Sequence, residues 1–397
     1  MKDKCIIVGI SGGIAAFKIC SLVSSLKKKG CEVHVLMTKE AEKFVTPLTL
    51  QTLSGSRVIT DMFETNFDPD VHHISLAKKA DVFVIAPATA NIIAKISHGI
   101  ADDMMTSTFL AAGCEKLIMP AMNTGMLENP ITRDNLKLCE TYGMHVLDSA
   151  SGYLACGDTG KGRMPEPSVI MDAIEMLAES DRYLAGKRVL VTAGPTQEAL
   201  DPVRYLTNHS SGKMGYELAK AARNAGAKVT LVAGKNSLAD PVGIEVIPIV
   251  SAADLAEAVI SRQNENDIII MAAAVADYTP LTMADQKIKK SEGEFTIPLK
   301  RTQDVLATLG EHKPEGQILI GFAMETENLL ENAAKKLAAK NADYIIANSI
   351  AEKGAGFAGD TNIVTIISKD GKNPLGLLSK EETAERILEF CVKNKGE

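Results

Sequence analysis

The sequence is poor in aromatic residues. None of its 397 residues is tryptophan, and aromatic residues make up only 4%. Few stacking platforms are therefore present for nucleobases, and the net charge of −7 is not the basic footprint that nucleic-acid binding needs. We expect no nucleic-acid partner. At roughly 100–200 residues per domain, the length predicts two domains, or three.

The sequence also lacks the cysteine pattern of a disulfide framework or a structural zinc site. Its seven cysteines are odd in number, and no two of them form a CxxC pair. The longest apolar run, residues 268–276, is about half the roughly 20 residues of a membrane span. The N-terminal apolar run is broken at Gly9 and is too short for a signal peptide. We expect a reduced cytoplasmic enzyme with no membrane partner.

Each half of the chain opens with a short apolar run that ends at glycine. Residues 4–10 run into Gly12, and residues 187–193 run into Gly194. Such runs are typical of buried parallel strands. In both halves a helical stretch, a glycine and a β-branched run follow, which indicates a helix leading into a second strand. The predicted fold is α/β, with two doubly wound Rossmann-like domains in series that bind ligands at the carboxyl ends of their strands.

The boundary between the halves is predicted between Pro165 and Gly186. Apolar residues at helical spacing in residues 168–180 predict a helix that closes the first domain. We therefore expect domains at residues 1–186 and 187–397. Because the halves share a layout but not their loop residues, we interpret them as two catalytic domains rather than a tandem repeat.

Neither strand-to-helix loop carries a standard nucleotide fingerprint. The dinucleotide motif G-x-G-x-x-G needs glycine where Ser11 and Ile14 stand, and the second strand ends at Thr38 without the usual acidic residue. A P-loop aligned on Gly212 would need a hydroxyl residue at Met214. A dinucleotide or Walker site is therefore not indicated in either half.

The first loop suits a monophosphate instead. Ser11, Gly12 and Gly13 offer a hydroxyl and exposed amides at a helix N-terminus, and Thr38 would face the same point. The alternative is that the glycines only make the turn.

Further polar residues follow the other predicted strands of the first half. Thr89 and Asn91 come after the third strand, and Asn123 comes after the fourth. Four glycines within residues 152–162 surround Cys156, which predicts a mobile flap that a ligand can reach. His73 precedes a helix, and a lone histidine is more often structural than catalytic.

Motifs in both halves resemble those of known enzymes. The first half resembles the flavin-dependent cysteine decarboxylase family in Ser11-Gly-Gly-Ile-Ala-Ala, His73-Ile-Ser-Leu, Pro120-Ala-Met-Asn and Ala155-Cys-Gly-Asp-x-Gly-x-Gly-Arg-Met. The second half resembles phosphopantothenate–cysteine ligases in Thr192-Ala-Gly-Pro-Thr-Gln-Glu, Leu200-Asp-Pro-Val-Arg-Tyr, Asn208-His-Ser-Ser-Gly-Lys-Met-Gly, Ala273-Ala-Val-Ala-Asp-Tyr and Lys287-Ile-Lys-Lys. Together, in this order, they resemble the bifunctional coenzyme A biosynthesis family over essentially the whole chain.

For the first half the resemblance implies an FMN-dependent decarboxylase of 4′-phosphopantothenoylcysteine. Loss of CO2 from cysteine leaves a carbanion without an electron sink, and oxidation of the neighbouring CH2–SH to a thioaldehyde supplies one. By resemblance, His73 acts as a base or orienter, Asn123 holds the carboxylate end and Cys156 donates a proton. The implied FMN contacts are Ser11, Gly12, Gly13, Thr38, Pro87, Thr89 and Asn91.

For the second half the resemblance implies that CTP activates 4′-phosphopantothenate as an acyl-cytidylate, from which the amine of cysteine displaces CMP. Mg2+ would bridge the phosphates, and its protein ligands stay unassigned. Asn208 would donate to the developing oxyanion, with helix capping as the alternative. Lys287 is implied in catalysis as well as in the nucleotide site. The implied nucleotide-site residues are Ala273, Asp277, Lys287, Asp304, Phe322, Lys336 and Lys340.

Several points stay open from sequence. Lys336 and Lys340 share a helix face, which apart from the resemblance is more typical of a solvated surface. The segment Thr302-Gln-Asp-Val departs from the family pattern, so only Asp304 carries over. The resemblance implies trimeric decarboxylase units joined by ligase dimers into a dodecamer. Two rival interpretations are considered. A nicotinamide-dependent oxidoreductase would need the glycine fingerprint that this sequence lacks, and a non-catalytic flavoprotein would have no use for Cys156.

Overall fold

The computed structural model describes residues 1–63, 72–153, 159–179, 181–289, 294–325, 329–349 and 359–393. The chain divides into two units, Met1–Glu179 and Ser180–Glu397. Leu184 is fully buried within the core of the second unit. None of the helices in the described ranges is long and apolar enough to cross a membrane.

The first unit is built on a parallel sheet with strand order β2-β1-β3-β4-β5. Its strands are β1 (Cys5–Ile10), β2 (Glu32–Met37), β3 (Val82–Ala88), β4 (Glu115–Pro120), β5 (His145–Val146) and the antiparallel pair β6 (Ala150–Tyr153) and β7 (Thr159–Arg163). Its helices are α1 (Ala16–Lys28), α2 (Pro47–Ser54), α3 (His72–Lys79), α4 (Ala90–Ser97), α5 (Met104–Ala111), α6 (Thr124–Glu128), α7 (Pro130–Thr141) and α8 (Pro167–Ala178).

The strand order fixes where a ligand can enter the first unit. Every residue of β1 and β3 is buried, as expected for central parallel strands covered on both faces. The order reverses at β1, between its neighbours β2 and β3. In doubly wound sheets the binding crevice lies outside the carboxyl ends at this switch point. The loops after β1 and β3 are therefore the expected ligand loops.

The second unit has a larger sheet with the order β12-β11-β8-β13-β16-β17-β18-β19. Its strands are β8 (Arg188–Ala193), β9 (Gln197–Ala199), β10 (Tyr205–Thr207), β11 (Lys228–Gly234), β12 (Glu245–Ile249), β13 (Ile268–Met271), β14 (Tyr278–Pro280), β15 (Leu299–Arg301), β16 (Ile318–Glu325), β17 (Tyr344–Ser349), β18 (Thr361–Ser368) and β19 (Gly371–Ser379). Its helices are α9 (Lys213–Asn224), α10 (Ala252–Ile260), α11 (Val305–Glu311), α12 (Leu329–Ala339) and α13 (Lys380–Lys393).

The parallel strands of this sheet, in the order β12-β11-β8-β13-β16-β17, follow the strand order of a dinucleotide-binding fold. The antiparallel strands β18 and β19 extend the edge at β17. One face packs on α9 and α13, and the other packs on α10, α11 and α12. The predicted doubly wound α/β fold is confirmed in both units. Their different strand orders favour two distinct domains over a repeated one.

Candidate active sites

A cavity of about 750 Å³ lies at the switch point of the first unit. The loop from Gly12 to Ala15, the first turn of α1, Thr89, Asn123 and the end of β7 line it. The cavity therefore brings together four residues that the sequence predicted to act together: Gly12, Gly13, Thr89 and Asn123. No acidic residue lies in the first turn of the 13-residue helix α1. Its N-terminus is consequently suited to a phosphate.

Ser11 joins the two ligand loops to each other. Its hydroxyl donates to the carbonyl of Pro87 at 2.7 Å and accepts from the backbone N–H of Thr89 at 3.0 Å. The Ser11 side chain is only 2% exposed. Thr89 in turn caps α4 by accepting from the N–H of Ile92. Ser11 thus positions the loops beneath the cavity.

Asn123 stands beside the β6–β7 hairpin. Its Oδ1 accepts from the N–H of Gly125 at 2.8 Å, so the group it can offer to a carboxylate is its amide nitrogen. The hairpin packs closely here, because a Cβ at Gly162 would lie 2.1 Å from the carbonyl oxygen of Met122. The Thr124 hydroxyl also donates to the Lys161 carbonyl at 2.7 Å. Glycine in this segment therefore permits close contact with the Asn123 loop.

Other predicted residues of the first unit do not line the described part of this cavity. Thr38 accepts from the N–H of Ala41, and Asn91 is exposed on α4. His73 is half-buried near the start of α3. Cys156 lies outside the described residues, on the connection between β6 and β7. The mobility of that connection and the roles of these four residues stay predictions.

The sequence analysis missed several residues that line the cavity. Ile14, Phe17 and Met126 are 50% or more exposed although they are large and apolar. Lys18 and Arg163 both pair with Glu166, at 2.8 and 2.6 Å. Exposed apolar side chains beside a helix N-terminus suit a ligand with an apolar part and an anionic part.

In the second unit, a cavity of about 480 Å³ gathers most of the predicted nucleotide residues: Ala273, Asp277, Asp304, Phe322 and Lys336 all line it. The Lys336 ammonium donates to the Phe322 carbonyl at 2.8 Å. Lys340 pairs with Asp304 at 2.6 Å, so the lysine face of α12 turns toward this cavity rather than only to solvent. Burial disfavours the charged form of Asp304, but hydrogen bonds from Lys340 and the Ala307 N–H hold the pKa of its carboxyl below the ordinary value.

Asn208 anchors the loop that follows β13. Its amide nitrogen donates to the carbonyls of Ala274 and Val275, each at 3.1 Å. Helix α9 begins at Lys213 with Gly212 as its N-cap. The alternative that Asn208 caps this helix is therefore wrong. In this geometry the amide can donate to an oxyanion only by exchanging one of the two carbonyls for the substrate.

Lys287 is exposed and lines neither cavity of the second unit in its described part. Its neighbour Ile288 is held by Asp201, which accepts from the Ile288 N–H at 3.1 Å, and by Arg204, which donates to the Ile288 carbonyl at 2.8 Å. The Arg204 guanidinium keeps the pKa of Asp201 well below its usual range. The role of Lys287 stays a prediction.

A further cavity of about 460 Å³ was not predicted as a site. It shares Ala273, Val275 and Phe322 with the nucleotide-type cavity and also includes Asn208. Its other polar lining residues are His209, Ser210, Ser211, Lys213, Asn348, Asn362 and Lys380. Two of these, Asn348 in β17 and Asn362 in β18, interrupt the alternating apolar pattern of their strands. This interruption could have been recognised in the sequence as the sign of a polar site.

Comparison with known proteins gives matches over both units. The family model described as Flavoprotein matches residues 1–179, and the model described as DNA/pantothenate metabolism flavoprotein C-terminal domain matches residues 184–394. The Coenzyme A biosynthesis bifunctional protein CoaBC of Bacillus subtilis is 49% identical over 393 residues, 98% of this chain and 97% of that protein.

Two further matches extend the comparison. A Cysteine/Cysteine sulfinic acid decarboxylase from an unknown prokaryote is 44% identical and covers 87% of this chain and 98% of its own length. The crystal structure of the C-terminal domain of a Coenzyme A biosynthesis bifunctional protein CoaBC is 45% identical, with a TM-score of 0.46, and covers 54% of this chain and 100% of that one.

Proposed function

The chain belongs to the family of coenzyme A biosynthesis bifunctional proteins, and from this premise we propose that it carries out two consecutive reactions. The second unit ligates cysteine to 4′-phosphopantothenate with CTP, and the first unit decarboxylates the product to 4′-phosphopantetheine with FMN. The observation that carries this proposal is that both halves, in one chain, match proteins named coenzyme A biosynthesis bifunctional protein over nearly their full length. We assign the first unit, Met1–Glu179, to the decarboxylase and the second unit, Ser180–Glu397, to the ligase, so the boundary lies before the expected one at residues 186 and 187.

The first unit offers a site that fits a flavin. The loop from Gly12 to Ala15, which leads into the N-terminus of α1, would hold the phosphate of FMN, and Phe17 and Met126 would cover its apolar ring. The Gly13 N–H, which was expected to face the phosphate, donates to the Ser11 carbonyl at 2.9 Å. When bound, the flavin supplies the two-electron oxidation and reduction that decarboxylation requires. Ser11, Pro87 and Thr89 hold the two loops in register around it. Thr38 and Asn91 complete the proposed set.

Three residues would handle the substrate in the first unit. Asn123 donates its amide N–H to the substrate carboxylate, while its oxygen caps α6. His73 acts as base or orienter for the thiol end. Cys156 delivers the final proton to the enethiolate carbon. The tight packing of β7 against the Asn123 loop supports a role for this hairpin at the carboxylate subsite.

Substitution of Gly12 by alanine tests the flavin site. A Cβ at Gly12 would lie 2.4 Å from the Cβ of Glu40, so the loop or its neighbour must shift. We expect flavin to be retained roughly tenfold less well, since overpacking costs about 1–3 kcal/mol. The measurement is bound flavin per chain by absorbance. In the control Gly113→Ala the new Cβ meets nothing within 4 Å, and flavin retention should be normal. Equal flavin content in both variants would contradict this site.

In the second unit the cavity of about 480 Å³ is proposed to bind CTP. Asp277 and Phe322 would contact the nucleoside, and Lys336 with Lys340 would neutralise phosphate charge. Mg2+ would be held largely by phosphate oxygens and water, as is usual for this ion. Lys287 would approach the phosphates from its exposed segment. Pyrophosphate release from CTP and 4′-phosphopantothenate without cysteine tests this half, and equal release from ATP would count against it.

Ala273 lines both cavities of the second unit, and Asn208 lines the one of about 460 Å³. We propose that Asn208 exchanges one backbone carbonyl for the acyl oxygen as negative charge develops there.

For assembly, we propose trimers of the first unit joined through dimers of the second into a dodecamer. Light scattering of the full chain measures its mass.

A further inference from the structure

We propose that the cavity of about 460 Å³ in the second unit binds the amino acid cysteine. Lys213 and the N-terminus of α9 would hold its carboxylate, and the amide oxygens of Asn348 and Asn362 would hold its amine. The proposal rests on the proposed ligase function and assigns a subsite to its third substrate.

Asn348 and Asn362 stand where the sheet requires apolar side chains. Along β17, Asn348 follows Tyr344 and Ile346 on the face that packs against α9 and α13. Asn348 pairs with Val364 of β18, so Asn362, two residues before Val364, lies on that same face. In both β17 and β18, the row of apolar side chains on this face therefore gives way to an asparagine at the end of the strand where the cavity opens.

Among the residues that the structure describes, neither amide oxygen of these two asparagines has a hydrogen-bond partner. Asn348 is 7% exposed and Asn362 is 1% exposed. The Asn362 amide nitrogen contacts the Met214 sulfur at 3.7 Å, which orients its oxygen away from that atom. A buried acceptor without a donor is costly, so a ligand with N–H groups would satisfy both. The phosphate tail of a nucleotide has no such donors.

The cavity also has a positively charged side, which would bind an anionic group of the ligand. Lys213 begins the 12-residue helix α9, whose N-terminal N–H groups favour negative charge. Lys380 is 6% exposed and donates to the Gly359 carbonyl. Lys213 also pairs with Asp360 at 2.7 Å, so two lysines face one carboxylate here. Unpartnered acceptors and cationic groups in one cavity match an α-amino acid.

The position of the cavity suits attack on the acyl-cytidylate. Asn208, Ala273 and Phe322 line it, and the last two also line the proposed CTP cavity. The ammonium first loses a proton to solvent, and its nitrogen then forms the C–N bond to the acyl carbon. The acyl–oxygen bond to CMP breaks, CMP leaves with the electron pair, and the nitrogen gives a second proton to solvent. The products are the amide and CMP.

Lys213→Gln tests recognition of the carboxylate in the full-length holoenzyme. Cysteamine is cysteine without its carboxylate, so the variant should lose kcat/KM for cysteine by about tenfold or more while that for cysteamine changes little. The matched control Lys220→Gln, on the same helix, should affect neither nucleophile. Pyrophosphate release from CTP and 4′-phosphopantothenate is measured in parallel without cysteine. If the wild-type chain releases none, the proposed function itself fails.

Asn362→Leu tests recognition of the amine. Leucine continues the apolar stripe and removes an unpaired acceptor, so the melting temperature should be unchanged or higher. The KM for cysteine and the KM for cysteamine should both rise about fivefold or more, because both carry the amine. A variant that unfolds would show that the amide is needed in the folded core and would overturn the proposal.

One pattern would reassign the cavity to the nucleotide. If Lys213→Gln raises the KM for CTP and impairs cysteine and cysteamine equally, the lysine contacts the triphosphate, and the cysteine subsite is refuted while the ligase function stands. Unchanged kinetics in both variants would refute it as well.

Discussion

Replacing Cys156 by serine should reduce formation of 4′-phosphopantetheine by roughly 10²- to 10⁴-fold, the range expected for loss of a general acid. A serine hydroxyl is a far weaker acid than a thiol, so the enethiolate carbon is not protonated. The variant should still release CO2, about once per active site, and then stop. Quantifying CO2 from carboxyl-labelled 4′-phosphopantothenoylcysteine against 4′-phosphopantetheine by mass spectrometry measures both steps.

The control for this variant is Cys20→Ser, which alters a half-buried cysteine of α1 that lies outside the cavity lining. It should give wild-type yields of CO2 and product. His73→Asn should act earlier and block CO2 release together with product formation. A normal yield of 4′-phosphopantetheine from Cys156→Ser would remove this cysteine from the mechanism.

Replacing Asn208 by aspartate should slow turnover of the acyl-cytidylate by about tenfold or more. A carboxylate at this position would face the carbonyls of Ala274 and Val275, to which the amide now donates at 3.1 Å. The substitution replaces two hydrogen bonds with repulsion between the carboxylate and the two carbonyl oxygens, which costs about 1–3 kcal/mol or more in interaction free energy. Ala274 and Val275 line the proposed cysteine cavity, so the intermediate should accumulate and be detectable by mass spectrometry.

Two comparisons make this result specific. Asn264→Asp adds the same charge at an exposed residue in the turn before β13 and should leave both steps unchanged. Lys287→Gln removes a positive charge from the proposed phosphate site and should reduce formation of the acyl-cytidylate instead. Identical behaviour of the Asn208 and Lys287 variants would contradict the division of roles between these residues.

The strands were predictable because central parallel strands are continuous apolar runs. The run at residues 4–10 appears as β1 (Cys5–Ile10), and the run at 187–193 appears as β8 (Arg188–Ala193). Apolar composition does not determine where a strand ends, and β13 stops at Met271 although the apolar run continues to Ala276. The backbone there leaves the sheet and lines both cavities of the second unit.

Site geometry was less predictable because its partners are distant in sequence. The Ser11 hydroxyl was expected to face a phosphate, but it bonds Pro87 and Thr89, more than 70 residues away. The capping alternative for Asn208 failed because the turn to α9 places Gly212 at the cap. Asn362 could have been noticed, since it breaks the apolar alternation of β18. That its amide oxygen has no partner among the described residues is visible only in three dimensions.

The central claim is that one chain performs ligation and decarboxylation in succession, and cysteine labelled in its carboxyl group tests it most directly. The full-length protein is given labelled cysteine with CTP, 4′-phosphopantothenate, both or neither, and labelled CO2 is collected. We predict labelled CO2 only when both are present, in an amount equal to the CMP formed. Labelled CO2 from cysteine alone would indicate decarboxylation of the free amino acid, and equal release with ATP in place of CTP would contradict the proposed nucleotide specificity.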